Sequence, residues 1–387
     1  MHDDRSLRYG NGIWKIQPPT ALRRDLPTLA TVLRENGYTA NFIGKWHLAD
    51  TGIGAVPVDQ CGGFLDFWEG ANSVENTPHP YYGTIWDGQG NPIPWKDEYR
   101  VDFLTDRAVR FLKQPQKKPF LLFLSQLEPH FDQQGDGPRN FVAPRGYADR
   151  YRNPYVPPDL LHFPGTWQDQ LPGYHGDVQS IDESVGRILQ TLEEQKILDN
   201  TIFLFTSDHG CHFNTRNHVY KASPHDSSIR IPFLMQGPGL NRSLQLPQIA
   251  GNIDLTPTLL DALGVAVPSS MKGRSLMPLV HDPLARMRWD NKALIQISNS
   301  MVGRAIRTKE WTYCVADPDL DGGKVPFSTR YQEYVMYNNY SDPAQLVNLA
   351  ARKPFKAVAA QLREELTGMI VASGEPRPTI TPSKLYP

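Results

Sequence analysis

Candidate catalytic side chains follow three separate predicted strands, at the point where each strand ends. Lys45 and His47 come after the first strand, His130 after the second, and Asp208 with His209 after the third. In an open α/β sheet, ligands bind in the crevice outside the carboxyl ends of the strands. We therefore expect these side chains to share one cleft, although a single histidine of this kind could equally cap a strand.

The chemistry of this set is that of an oxyanion site beside a metal. Asp208 and His209 precede a glycine and carry the carboxylate and imidazole groups that bind divalent cations. Lys221 lies twelve residues further on and adds a second ammonium group to that of Lys45. Two lysines and two histidines near a carboxylate form a pocket for a small sulfate or phosphate group. The alternative for Lys221 is a solvated surface position.

Helices and strands must alternate along the chain to position these residues. Apolar periodicity predicts helices over 25–37 and 177–198, and continuous apolar runs predict buried strands over 38–43, 119–125 and 201–206. We expect an α/β fold with a mostly parallel central sheet flanked by helices.

The organisation of the chain changes near residue 290. Residues 1–290 are predicted to form the α/β domain, and residues 291–387 a smaller α+β domain with an antiparallel sheet. Two stretches of the first domain, 51–99 and 131–170, are rich in glycine, proline and aromatic residues and are predicted to be irregular loops.

The composition excludes several classes of protein. The 387 residues carry 40 Lys and Arg against 41 Asp and Glu, for a net charge of −1. A net charge this close to zero does not attract nucleic acid or an anionic membrane. No apolar run reaches the length of a membrane helix. The three cysteines, Cys61, Cys211 and Cys314, are too few for a disulfide framework, and we expect Cys211 to be a small buried filler.

The sequence resembles the type I sulfatases of the alkaline phosphatase superfamily. The resemblance rests on Gly-Lys-Trp-His-Leu at 44–48, Glu-Pro-His at 128–130 and Thr-Ser-Asp-His-Gly at 206–210. It continues through Lys221, Ser-Ile-Arg-Ile-Pro at 228–232 and Asp-Leu-Thr-Pro-Thr-Leu-Leu-Asp-Ala-Leu-Gly at 254–264. These motifs span nearly the whole chain in the order that the family shows.

The resemblance implies a role for each residue of the cleft. Asp208 and His209 would belong to a calcium site, with magnesium a less expected occupant. Lys45 and Lys221 would hold the sulfate oxygens. His47 would contact the hydroxyl of the nucleophile and later act as a base, and His130 would lie beside the leaving oxygen, while preorganised cations stabilise the charge.

The chain departs from the family in one respect. The family's nucleophile is a cysteine or serine in a Cys-x-Pro-Ser-Arg motif before the Gly-Lys-Trp-His segment, and no cysteine precedes Lys45 here. The sequence around Cys314 resembles part of this motif but lacks the Ser and the Arg. Asp3 and Asp4 follow no apolar strand, so we reject them as metal ligands. We expect the first strand, two metal carboxylates and the nucleophile motif to be missing.

The resulting hypothesis is a calcium-dependent sulfuric ester hydrolase that acts on a sulfated carbohydrate, in a chain that is inactive as it stands. The alternatives are a non-catalytic remnant that binds sulfated glycans and a phosphate or phosphonate ester hydrolase. We expect Lys45, His130 and Lys221 to bind the substrate, with His212 or Arg216 contacting sugar hydroxyls or a uronate, unless these two only tie down a loop. We recognise no signal peptide in this sequence, so the expected location, periplasmic or secreted, rests on the resemblance to the family.

Overall fold

The computed structural model describes residues 21–383, apart from residue 53 and the ranges 73–78, 133–139 and 241–242. The rejection of Asp3 and Asp4 as ligands therefore falls outside the described residues. The described strands, in chain order, are β1 Thr39–Lys45, β2 Phe67–Ala71, β3 Tyr82–Asp87, β4 Pro92–Lys96, β5 Phe120–Ser125, β6 Phe203–Thr206, β7 Phe233–Gln236, β8 Lys292–Ile297, β9 Val302–Thr308, β10 Trp311–Asp317, β11 Arg330–Asn338 and β12 Thr379–Thr381.

The described helices surround these strands. They are α1 Leu29–Glu35, α2 Arg100–Leu112, α3 Pro158–Leu161, α4 Trp167–Glu194, α5 Asp226–Ile229, α6 Leu255–Ala262, α7 Met277–His281, α8 Pro283–Arg288 and α9 Lys356–Ala372. α1 begins at a capping box between Thr28 and Thr31, and the chain turns at Gly37, whose φ of 87° favours glycine. None of the described helices is long and apolar enough to cross a lipid bilayer.

The central sheet has five strands in the order β4-β3-β2-β1-β5. β1 pairs in parallel with both β2 and β5, and β3 and β4 extend the sheet with antiparallel pairing. The side chains of β1 are buried along almost its whole length, as expected for a strand covered on both faces. The core beneath this sheet is built against α2 and α4. The α/β fold is thus confirmed.

Residues 51–99 differ from the prediction of irregular loops. They contain β2, β3 and β4, whose residues are rich in the glycine, proline and aromatic types that obscure an alternating pattern. The pairing is settled by tertiary packing, because Trp68, Ile85 and Trp95 are buried. α4 likewise starts ten residues earlier than the predicted position 177 and runs through Pro172.

Among the residues that the structure describes, the strand that leads to Asp208 belongs to a different sheet from the strands that lead to Lys45 and His130. β6 pairs with β7 in a two-stranded antiparallel sheet, whereas the strands that lead to Lys45 and His130 belong to the five-stranded sheet. Leu234 on β7 is 64% exposed and Phe123 on β5 is 47% exposed. Among the described residues, β5 is an edge strand.

The C-terminal part of the chain forms a second five-stranded sheet, in the order β12-β11-β10-β9-β8. Its pairings are antiparallel except that β11 and β12 run parallel. Within it, β9 and β10 are joined by a tight turn at Lys309 and Glu310. α9 packs across this sheet and buries Leu362, Leu366 and Ile370 against it.

Candidate anion-binding site

The end of β1 delivers Lys45 and His47 to one edge of the central sheet. Gly44 precedes them with a φ of 111°, and a side chain there would collide with the backbone carbonyl of Ser125 on β5. Only glycine therefore lets the two parallel strands approach at this point. His47 has a φ of 54°, an uncommon conformation for a non-glycine residue that often marks a functional site.

The end of β5 delivers His130. A buried ion pair between Arg100 of α2 and Glu128, with an N–O distance of 2.7 Å, anchors the turn that carries it. Nδ1 of His130 lies 2.7 Å from the carbonyl oxygen of Phe131. Because a carbonyl only accepts hydrogen bonds, Nδ1 carries a proton and Nε2 is the acceptor nitrogen of the neutral ring.

The end of β6 brings Asp208 and His209 together. Oδ2 of Asp208 lies 3.2 Å from Nε2 of His209, and the amide of His209 donates to Oδ1 of Asp208. The side-chain amide of Asn252 donates to the carbonyls of Ser207 and Asp208 and so fixes this strand end. The two residues lie side by side at the end of β6.

Lys221 contacts the end of β6, and its neighbour Tyr220 lies between the ends of β5 and β6. Its ammonium group lies 3.1 Å from Nε2 of His209. The ring of the neighbouring Tyr220 is 5.6 Å from that of His130 and 6.4 Å from that of His209, centroid to centroid. Tyr220 thereby connects residues from strand ends in two different sheets.

The charge of Lys45 acts on both Asp208 and His209. Desolvation raises the pKa of Asp208, but the interactions with His209, Lys221 and Lys45 outweigh it, and the pKa lies below its ordinary value. Desolvation and then the charge of Lys221 lower the pKa of His209. The aspartate is therefore ionised and the histidine neutral near pH 7.

The described residues do not by themselves fit a calcium site. Nδ1 of His209 donates to the carbonyl of Gly210, so its ligating lone pair is on Nε2, which the Lys221 ammonium group already contacts. Calcium takes six to eight oxygen ligands, and Asp208 supplies only a carboxylate. No group of three His, Cys, Asp or Glu residues suited to a metal occurs within the described ranges. Calcium binding at Asp208 and His209 stays a prediction, and no chemical step is derived from it.

His212 and Arg216 are placed differently from the prediction that they contact substrate. His212 is fully buried, and its Nε2 lies 3.0 Å from the carbonyl oxygen of Lys221. Arg216 donates to the carbonyls of Asp159, Ala344 and Gln345. Both residues tie the loop to its surroundings through contacts with backbone carbonyls.

Sequence reasoning missed Tyr220, Arg100 and Asn252. Tyr220 had only one signal, its position next to Lys221, because an aromatic residue in a loop is more often a packing residue. The partner of Arg100 is 28 positions away, and Asn252 lies 44 positions from Asp208, so no local pattern reports these pairs. Cys211, predicted to be a small buried filler, is half-buried and packs against the apolar cluster that includes Phe131 and Phe141.

Two family models match the chain, one over its first two thirds and the other over its C-terminal part. The family model described as Sulfatase matches residues 5–265, and the model described as N-sulphoglucosamine sulphohydrolase, C-terminal, matches residues 216–372. The loop that carries Lys221 lies within both matches.

Individual proteins give the same picture. The chain is 27% identical over 368 residues to an ulvan-active sulfatase of Formosa agariphila, a match that covers 90% of this chain and 66% of the relative. It is 30% identical over 299 residues to the extracellular sulfatase SULF-1 homolog of Drosophila melanogaster, covering 70% of this chain and 25% of the relative. The chain thus spans less than two thirds of the length of these relatives.

A solved structure shares the fold. BT4656, in complex with its substrate D-glucosamine-2-N,6-O-disulfate, superposes with a TM-score of 0.70 at 21% identity, covering 92% of this chain and 83% of that one. At this level of identity the likeness concerns the fold alone.

Proposed function

The chain belongs to the sulfatase family, and from that premise we propose that it acts on the sulfate ester of a carbohydrate as a sulfuric ester hydrolase. The ulvan-active relative and the neighbour that binds a disulfated glucosamine support a sulfated sugar as the substrate class. A phosphate or phosphonate ester remains the alternative that the test below separates.

The observation that carries the proposal is the contact between Lys221 and His209. Burial, the charge of Lys221 and the charge of Lys45 all lower the pKa of His209. Two ammonium groups on one side of a cleft can each hold an oxygen of a sulfate group. In the transition state, negative charge grows on the sulfate and leaving oxygens, where fixed cations are most effective. Lys45 and Lys221 are assigned this role.

The two remaining histidines are assigned to proton transfer. Nδ1 of His130 is committed to the carbonyl of Phe131, so Nε2 would deliver a proton to the leaving oxygen when the ring is protonated. His47 would contact the hydroxyl of a nucleophile and later act as a base.

A second candidate function, binding without hydrolysis, is favoured by the sequence itself. The 387 residues contain no cysteine or serine in a Cys-x-Pro-Ser-Arg context. A covalent acceptor in line with the leaving oxygen is what turns a bound ester into a cleaved one. We therefore propose that these residues alone bind a sulfated sugar without turning it over.

The sugar is proposed to lie along the segments 51–99 and 131–170. His79 stacks on Tyr82 with ring centroids 4.8 Å apart, and its Nε2 is 3.8 Å from the carboxylate of Asp132, two residues after His130. Tyr82 is 52% exposed, so its ring is accessible to the apolar face of a sugar. This pair is assigned to the sugar that carries the sulfate.

An exported location is proposed on the family expectation. It is supported by the name of the Drosophila relative, an extracellular sulfatase. Detection of the protein in periplasmic or secreted fractions of its host supports this assignment, and confinement to the cytoplasm contradicts it.

The proposed function is tested by calorimetric titration of the full chain with sulfated monosaccharides, the same sugars without sulfate, and a sugar phosphate. We expect binding of the sulfated sugars and a loss of roughly ten- to a hundredfold in affinity in Lys221→Ala, because a charged hydrogen bond is removed. Lys324→Ala is the matched control, since Lys324 is an exposed lysine paired with Asp321. Equal binding of sugars with and without sulfate contradicts the proposal, and preference for the phosphate favours the alternative.

A further inference from the structure

The backbone next to Lys221 is held by the C-terminal sheet. Ala222 has a φ of 59°, a left-handed conformation that is costly for alanine. Its carbonyl accepts a hydrogen bond from the hydroxyl of Ser300, at 2.5 Å, and another from the side-chain amide of Asn217, at 3.1 Å. Ala222 also packs against a buried apolar cluster that includes Ile297 and Cys314.

The chain before Lys221 is closed by His212. The backbone amide of His212 donates to the carbonyl of Tyr220, and its Nε2 lies 3.0 Å from the carbonyl oxygen of Lys221. The backbone carbonyls of residues 220, 221 and 222 are thus all engaged, and the side chains of Tyr220 and Lys221 extend from this fixed backbone toward His209.

The chain after Ala222 is held by the same sheet. Nε2 of His225 lies 3.1 Å from the hydroxyl of Tyr337 on β11. Arg307 on β9 donates to both carboxylate oxygens of Asp226, at 2.9 Å each. The amide of Asp226 donates to the side chain of Gln345. Residues from one domain therefore determine where a cation of the other domain's cleft is placed.

We infer that Ser300 is a positioning residue for Lys221, an inference that rests on the proposed function. The net contribution of one hydrogen bond is similar in size to the cost of holding a non-glycine residue in the left-handed region. Loss of the Ser300 hydroxyl would let Ala222 relax toward ordinary backbone angles. Because Lys221 shares a peptide unit with Ala222, that relaxation would move its ammonium group away from the anion.

A matched serine separates positioning from general stability. Ser328 is 7% exposed and lies in the same domain, where its hydroxyl oxygen is 2.6 Å from a carboxylate oxygen of Asp317 and 2.8 Å from the carbonyl oxygen of Arg330. Neither partner belongs to the Lys221 loop. Ser300→Ala and Ser328→Ala each remove hydroxyl hydrogen bonds, but only Ser300→Ala changes the support of Lys221.

The experiment measures the affinity of the full chain for inorganic sulfate by calorimetry, at constant ionic strength set with chloride, together with Tm. We expect Ser300→Ala to weaken sulfate binding about fivefold, which is the effect of one neutral hydrogen bond. Ser328→Ala should leave the affinity unchanged and lower Tm. The double variant Ser300→Ala with Lys221→Ala should bind no more weakly than Lys221→Ala alone, because Ser300 acts only through Lys221.

The outcomes separate this inference from the proposed function. If the unmodified chain does not bind sulfate, the anion pocket and with it the proposed function are wrong. If it binds sulfate and Ser300→Ala binds equally well, Ser300 does not position Lys221. If the losses from Ser300→Ala and Lys221→Ala add, Ser300 acts on binding by another route and the inference is overturned.

Discussion

The ammonium group of Lys221 lies 3.1 Å from Nε2 of His209 and donates to its lone pair, since Nδ1 of that ring donates to Gly210. The ammonium group of Lys221 is thereby held next to the neutral ring of His209, although the two residues come from different segments of the chain. The charge of Lys221 should therefore be detectable as an effect on the pKa of His209.

Replacing Lys221 by methionine should raise the pKa of His209. Burial is the largest cause that lowers this pKa and remains in the variant, but the charge of Lys221, the second cause, is removed. An NMR titration of the histidine ring signals measures the change. Lys324→Met serves as the control, and an unchanged His209 pKa in Lys221→Met would show that the two groups do not interact in solution.

Stability should fall on acidification because His225 is buried in its neutral form. Burial lowers the pKa of His225 to about 3, below the ordinary 6.5, so the unfolded chain takes up a proton that the folded chain refuses. The stabilisation is complete above pH 6.5 and is lost as the pH falls from there toward the folded pKa. At pH 5 the loss from this one group is roughly 2 kcal/mol.

His225→Asn tests this assignment. Urea unfolding at pH 7.5 and pH 5 should show a smaller difference between the two conditions in the variant than in the unmodified chain, whereas the exposed His162→Asn should change nothing. His212, whose pKa burial lowers to about 4, should contribute in the same direction. An identical pH dependence in all three proteins would refute the role of His225.

The ion pair between Arg100 and Glu128 should be costly to break. Both side chains are 2% exposed, and Glu128→Gln would remove the carboxylate charge that lies 2.7 Å from the buried guanidinium group of Arg100. The free energy of unfolding should fall by about 3–5 kcal/mol, measured by urea denaturation. Asp25→Asn, in the exposed pair with Arg23, should have no detectable effect. Equal effects of the two substitutions would mean that burial is not what makes the Arg100 pair matter.

Calcium should bind weakly to the chain as it stands. Asp208 contributes one carboxylate, and the lone pair of His209 is already engaged by Lys221, so submillimolar calcium should leave Tm unchanged. Thermal unfolding with calcium, with magnesium and with chelator measures this. A clear rise in Tm with calcium that Asp208→Asn abolishes would establish a tighter site than the described residues provide.

The 387-residue chain should show no turnover of a chromogenic aryl sulfate, with or without calcium. The lysines and histidines of the cleft can bind and polarise an ester, but no residue in this sequence stands in the nucleophile motif. An active sulfatase assayed in parallel confirms that the conditions support the reaction. Turnover by this chain that His47→Ala eliminates would mean that another residue serves as the nucleophile.

The sequence alone determined three strands of the first part of the chain and the residues at their ends. Continuous apolar runs predicted β1, β5 and β6 close to their observed bounds, and Lys45, His130 and Asp208 lie at or just after their ends, although only β1 of the three is buried along most of its length. These features are local, because a strand's pattern and its next few residues are contiguous in the chain. The family resemblance was equally readable, since its motifs are short.

The tertiary structure decided which residues meet. The strands β2, β3 and β4 form because each pairs with a neighbouring strand. Among the described residues, nothing in the apolar run of β6 indicates that it pairs with β7 instead of joining the central sheet. His212 and Arg216 are polar residues near a predicted site, and only folding shows that backbone carbonyls as far away as residues 344 and 345 engage Arg216. Ser300 reaches Ala222 across 78 positions. A side chain's role depends on what lies within hydrogen-bonding distance in space, and separation along the chain does not encode that distance.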